Sequence, residues 1–197
     1  DVPGLCGQVV LSVVPGLIGV EAGQSAVGDI FLWMANYLVP DSYGDSLDAK
    51  FQAMGKMIAA LKPGQTGLLA LDWNNGNRTI LTDVRLTGIL LGQTLHTQAH
   101  EVYRAYIEAT AFGALTIIKR MEEFNVSVDE VVCTGGLSLK NDTLMQIYAD
   151  VLDRPMKVSA SEQTCALGAA MLAAVAAGHD TLTNLQERIV SYSDRVY

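Results

Sequence analysis

Apolar and polar positions alternate in two modes along this chain, and the switches between them mark the elements. The run Gln8-Val9-Val10-Leu11-Ser12-Val13-Val14 is β-branched and short, Pro15-Gly16 breaks it, and Leu17-Ile18-Gly19-Val20 resumes it, which predicts two adjacent strands. From Ala26 the apolar residues Val27, Ile30, Phe31, Met34 and Leu38 recur at helical spacing until Pro40. Leu47, Phe51, Met54, Met57, Ile58 and Leu61 predict a second amphipathic helix over 46–61, stopped by Pro63-Gly64. Leu68 to Leu71 reads as a buried strand that runs into the polar loop Asp72-Trp73-Asn74-Asn75-Gly76-Asn77-Arg78.

After a mixed stretch at Gly88 to Gly92, the stripe Val102, Tyr106, Ala109, Gly113, Ile117 and Met121 predicts a long helix over about 97–124. The remainder alternates: strand 130–133, turn Thr134-Gly135-Gly136, helix 141–152, strand 156–158, helix 164–177. That order predicts an α/β fold with parallel strands. The stretch 180–197 is polar and reads as one further helix without chemistry of its own.

Composition narrows the classes. Half of the 197 residues are apolar and 17% are charged, so the chain has the means to bury a core. A net charge of −8 leaves no basic field for nucleic acid or an anionic membrane surface. The longest small-apolar stretch, Ala166 to Gly178, is shorter than the roughly 18–20 residues a membrane span needs. Three cysteines without C-x-x-C spacing, Cys6, Cys133 and Cys165, fit neither a disulfide framework nor a zinc site, and a reducing cytoplasm is the expected compartment. His96, His100 and His179 have no metal-ligand grouping. A start at Asp1 rather than Met makes a piece of a longer chain the expectation.

Two segments have the features of a ligand site. Thr134-Gly135-Gly136 follows a predicted strand and precedes a helix, where open α/β sheets place their crevices, and two glycines let a ligand approach the backbone. The same pair equally makes a tight turn. Glu21-Ala22-Gly23-Gln24-Ser25 joins a strand end to a helix start, so a carboxylate and free helical N–H groups face one crevice; Glu21 and Ser25 acting as helix caps is the competing reading. Cys165, near a helix start, reads as a small buried residue, and the small-residue helix around Gly168 as a place where backbones pack closely.

The segment from Val14 to Asp29, with its core Gly19-Val20-Glu21-Ala22-Gly23-Gln24-Ser25, resembles the opening of the C-terminal lobe of the ribulokinase branch of the FGGY family of carbohydrate kinases. Leu71 to Thr79, Thr134-Gly135-Gly136 with Lys140-Asn141, and Gln163 to Ala170 agree in the same order. Gly88 to Gly92 followed by Glu101 to Glu108 is similar to the second family signature, from which Gln93 and Tyr106 depart. The resemblance runs from about Gly7 to Gly178.

It implies an actin-like, ribonuclease-H-like lobe, a mixed sheet flanked by helices, over residues 1–179, with 180–197 as an extension. An N-terminal lobe carrying the general-base aspartate and the phosphate turns would precede Asp1, so no catalytic residue and no metal ligand is expected in this chain, and the chain alone is expected to be inactive. By position, Gly135, Gly136 and Leu137 would line the adenosine pocket with Lys140 or Asn141 near the base. Gly23 and Ser25 would face the nucleotide from the other side, and Glu21 would reach the hydroxyls of a ketopentose. The implied reaction is ATP- and Mg²⁺-dependent phosphorylation of L-ribulose to L-ribulose 5-phosphate in L-arabinose catabolism. Another substrate of the family, such as xylulose or glycerol, a non-catalytic actin-like nucleotide-binding module, and a homo-oligomer stay open. No G-x-G-x-x-G opens the first strand–helix unit, which disfavours a dehydrogenase.

Overall fold

The computed structural model describes residues 1–197 except for the side chains of Leu137 and Leu139. Two compact units follow one another along the chain, Asp1–Val128 and Asp129–Tyr197.

In the first unit the two predicted strands, β1 (Gly7–Val10) and β2 (Ile18–Glu21), form an antiparallel hairpin in the register Gly7 to Glu21 and Val10 to Ile18. α1 (Gly28–Tyr37) and α2 (Leu47–Ala59) follow, joined through a 3₁₀ turn at Asp41–Tyr43. The Ser46 hydroxyl caps α2 by accepting from the Ala49 amide at 3.2 Å. β3 (Leu69–Leu71) pairs antiparallel with β4 (Ile89–Leu91), a strand in the stretch that reads as mixed in sequence. α3 (Ala99–Glu123) runs 25 residues, and at its start the Gln98 amide donates to Glu101 at 2.7 Å.

The core of this unit lies where α1, α2 and α3 bring their apolar faces together: Ile30, Phe31, Met34, Met54, Ile58, Tyr103 and Ile107 are all at most 2% exposed. Phe31 and Tyr103 meet edge to face with ring centres 5.3 Å apart, the geometry that ring quadrupoles favour. Arg104 is buried among them, paired with Glu108 one turn on at 2.6 Å and donating to the Ile58 carbonyl at 3.3 Å, so that burial leaves its guanidinium partnered.

The second unit has the expected alternation. β5 (Val131–Cys133) pairs parallel with β6 (Met156–Ser159), and α4 (Gly136–Lys140) and α5 (Asp142–Leu152) lie between them in sequence. α6 (Thr164–Ala176) follows β6. The 180–197 stretch forms more than the single helix its polarity predicts: α7 (Leu182–Ile189) leads into β7 (Tyr192–Val196), which pairs antiparallel with β6. Arg195 and Tyr197 both bond the Asp142 carboxylate, at 2.9 and 2.7 Å, fixing this strand to the start of α5.

Two expectations fail here. Cys165 is exposed rather than buried, and a side chain grown at Gly168 would meet no described atom within 4 Å, so the close backbone approach expected of α6 is not made. No helix among the described residues is long and apolar enough to cross a membrane.

Candidate functional site

Glu21 is the last residue of β2, and Gly23, Gln24 and Ser25 carry the chain from there towards α1. The capping alternative for this segment fails: the N-cap of α1 is Val27, and no side chain caps it. The segment is held by the loop after β3 instead, nearly residue for residue. Arg78 pairs with the Glu21 carboxylate at 2.5 Å. The Thr79 hydroxyl donates to the Gly23 carbonyl at 2.7 Å and accepts from the Gly23 amide at 2.9 Å. Gln24 donates to Asp72 at 2.5 Å and to the Thr110 carbonyl at 2.8 Å, while Asn75 donates to the Ser25 carbonyl at 3.3 Å.

These contacts border a cleft of about 260 Å³ lined by Gly23, Gln24, Ser25, Asp72, Arg78 and Thr79, with Gly113 and Thr116 of α3 on a further side. Asp72 and Thr79 are buried, at 7% and 4% exposure. Burial pushes the Asp72 carboxyl above the usual carboxylate range, and the hydrogen bond from Gln24 offsets part of that rise. Gly113 is a place where only glycine fits: a Cβ there would stand 2.5 Å from the Gln24 amide nitrogen and 2.8 Å from an Asp72 oxygen. Sequence reasoning named Glu21, Gly23 and Ser25 but not the residues that hold them. Asp72, Asn75, Arg78 and Thr79 lie about 50 residues further along the chain, and the signals available were the polar composition of their loop and its place in the family resemblance, neither of which points to Glu21–Ser25.

In the second unit, Thr134 and Gly135 leave β5 and Gly136 opens α4. Gly135 sits at φ +91°, a left-handed conformation that favours glycine, so the turn reading holds for this residue. Gly136 is not left-handed, and a side chain at either glycine would meet no described atom within 4 Å, which leaves their backbone open to approach. Ser138 ties the turn down by donating to the Gly135 carbonyl at 2.7 Å. Lys140 ends α4, and Asn141 caps α5, its side chain accepting from the Leu144 amide at 3.0 Å. The expectation for Leu137 lies outside the described residues. Burial raises the Cys133 thiol, which argues against a thiolate nucleophile beside the turn. The structure therefore groups Glu21, Gly23 and Ser25 in one unit and Gly135, Gly136, Lys140 and Asn141 in the other.

Among the described residues no group of three or more His, Cys, Asp and Glu side chains is arranged to hold a metal ion. His100 is satisfied by the Tyr43 hydroxyl at 3.0 Å.

Comparison with known proteins bears on these two segments together. The chain is 51% identical over 183 residues to a protein named ribulokinase from Anoxybacillus flavithermus and 52% identical to one from Geobacillus thermodenitrificans, each alignment covering 91% of this chain and 32% of the relative. A ribulokinase from Staphylococcus aureus is 43% identical over 93% of the chain. The chain thus spans about a third of the length of the curated relatives it matches. Among solved structures, a xylulose kinase from Rhodospirillum rubrum superimposes with a TM-score of 0.77 at 24% identity, over 92% of this chain and 35% of that one. A Plasmodium falciparum glycerol kinase, solved with ADP, gives 0.74 at 20% identity, over 91% of this chain and 34% of that one. These likenesses establish the actin-like, ribonuclease-H-like fold. The model of the C-terminal domain of the FGGY family of carbohydrate kinases matches residues 1–177, and the chain belongs to that family.

Proposed function

We propose that this chain is the C-terminal, nucleotide-binding lobe of an ATP-dependent carbohydrate kinase that phosphorylates L-ribulose to L-ribulose 5-phosphate in the cytoplasm. Residues 1–179 are the lobe and 180–197 its extension. The observation that carries the reading is identity of about half, over 91% of this chain, to proteins named ribulokinase.

The chemistry suits such a division of labour. Phosphoryl transfer asks little covalent work of a protein and much positioning and charge stabilisation, so separate lobes can each hold one part of the reaction. ATP supplies the phosphoryl group. The open backbone at Gly135 and Gly136 fits a nucleotide lying against the turn, with Leu137 lining the adenosine pocket and Lys140 or Asn141 near the base. Gly23 and Ser25 of the first unit are proposed as further nucleotide-binding residues. Mg²⁺ would be carried mainly by the ATP phosphates, as such ions commonly are. Glu21, freed from any capping role and exposed at the end of β2, accepts hydrogen bonds from the ketopentose hydroxyls. A general-base aspartate on a preceding N-terminal lobe takes the proton from the attacking hydroxyl, so the 197 residues alone turn over nothing.

Glu21→Gln in the full-length kinase tests the sugar assignment. The variant keeps the shape and one acceptor oxygen but loses the charge. Hydrogen bonds to charged groups contribute about 1.5–3 kcal/mol against about 1 for neutral ones, so kcat/KM for L-ribulose falls about three- to thirtyfold while the ATP KM holds. Normal sugar kinetics in a folded Glu21→Gln protein would remove Glu21 from the site.

A further inference from the structure

We infer that Arg78 is a positioning residue of the sugar site: its guanidinium holds one oxygen of the Glu21 carboxylate and so presents the other to a sugar hydroxyl. The inference rests on the reading of Glu21 given above.

The pair joins Arg78 Nη2 to Glu21 Oε1 at 2.5 Å, between side chains that are 54% and 67% exposed. An ion pair this exposed adds little to stability, because water screens it and two long side chains lose rotamer freedom to make it. Its effect on binding differs. A carboxylate already fixed in orientation does not have to be ordered when the ligand arrives.

Both ends of the pair are anchored through their backbones. Glu21 is locked across the hairpin opposite Gly7, and its carbonyl accepts from the Cys6 amide at 3.1 Å. Arg78 stands between two fixed points. On one side, Asn77 and Asp83 exchange a pair of backbone hydrogen bonds at 3.0 Å. On the other, Thr79 grips Gly23 through both its amide and its carbonyl, and the Ile80 amide donates to the Gly4 carbonyl at 2.8 Å. Ile80 has φ +88°, a conformation costly for a β-branched residue, so surrounding contacts hold this part of the chain against its local preference.

The guanidinium also reaches past Glu21. Arg78 Nη1 stands 4.0 Å from where a Cβ of Gly23 would lie, so the guanidinium sits beside the segment that lines the cleft. Lysine, a point charge on a flexible stem, does not reproduce the directional hydrogen bond of a planar guanidinium.

The test uses the full-length kinase as wild type, Glu21→Gln, Arg78→Gln, Arg78→Lys and the double variant Glu21→Gln/Arg78→Gln, with sugar kcat and KM, ATP KM and unfolding measured on each. Arg78→Gln is expected to raise the L-ribulose KM about three- to tenfold, with ATP KM and unfolding midpoint near wild type, and Arg78→Lys to recover only part of the loss. Because Arg78 acts through Glu21, the double variant is expected to be within about twofold of Glu21→Gln alone. Arg78→Gln with a normal sugar KM, beside an impaired Glu21→Gln, overturns the role of Arg78 and leaves that of Glu21 standing. Normal sugar kinetics in Glu21→Gln overturns both. Losses that multiply in the double variant overturn the claim that Arg78 works through Glu21, and failure of both Arg78 variants to fold overturns it in favour of a structural role.

Discussion

At Gly136 the backbone enters α4 with open space where a side chain would grow and without a left-handed φ that only glycine tolerates. A valine is therefore compatible with the fold, yet it puts two methyl groups where a nucleotide would contact the backbone. In the full-length kinase, Gly136→Val is expected to raise the ATP KM at least about tenfold, a loss of about 1.4 kcal/mol, while the sugar KM changes little. An unchanged ATP KM in the folded variant takes Gly136 out of the pocket. Asp72 gives a second prediction at this scale, and its sign follows from burial. Its folded pKa is raised, so the folded chain binds this proton more tightly than the unfolded chain does. The stability it confers is complete below the usual carboxylate value of about 4 and is lost as pH rises through the folded value. Asp72→Asn keeps an oxygen to accept from Gln24 and cannot ionise. Denaturant unfolding between about pH 4 and pH 7 should therefore show the variant gaining on wild type as pH rises. A variant that loses ground to wild type as pH rises contradicts this account of Asp72.

Between elements, the tightest constraint is where α3 passes the 21–25 segment. Gly113→Ala gains about 1 kcal/mol of helix propensity but forces a methyl against the Gln24 amide and the buried Asp72 carboxylate, an overpacking that costs about 1–3 kcal/mol. The expected result in denaturant unfolding is a net loss of up to about 2 kcal/mol, and a variant more stable than wild type contradicts the close approach. The long helices were legible in the sequence because each buries an apolar stripe, and burial writes periodicity into the chain. The β1–β2 pair was legible from its β-branched runs and the Pro15-Gly16 break, although Val9, Val10 and Ile18 are exposed. β4 and β7 were not legible. Ile89-Leu90-Leu91 is three apolar residues between glycines, too short to show alternation, and Tyr192-Ser193-Asp194-Arg195-Val196 is mostly exposed, so its strand conformation is fixed by pairing with β6 rather than by any apolar face. The site divides in the same way. Glu21, Gly23, Ser25 and the Gly135–Gly136 turn stand in local motifs. Asp72, Asn75, Arg78 and Thr79 do their work across 48 to 57 residues of chain, where spacing conveys nothing.

For the whole molecule, the two units carry different parts of the expected chemistry: the Glu21–Ser25 segment with its supporting loop in the first, and the glycine turn with Asn141 in the second. An acidic surface is compatible with a triphosphate ligand when the contacts are glycine backbone and a phosphate-bound divalent ion rather than a basic field. The chain belongs to a family of carbohydrate kinases, and the choice of sugar is the claim on which the proposed function depends most. The measurement that tests it most directly is ADP release from ATP by the full-length kinase with L-ribulose, D-xylulose and glycerol, compared as kcat/KM at one Mg²⁺ concentration. Because a site built to pair particular hydroxyls rejects sugars that leave them unpaired, kcat/KM is predicted to be highest for L-ribulose by at least about tenfold. A preference for D-xylulose or glycerol, or no sugar-dependent ADP release at all, would contradict the assignment.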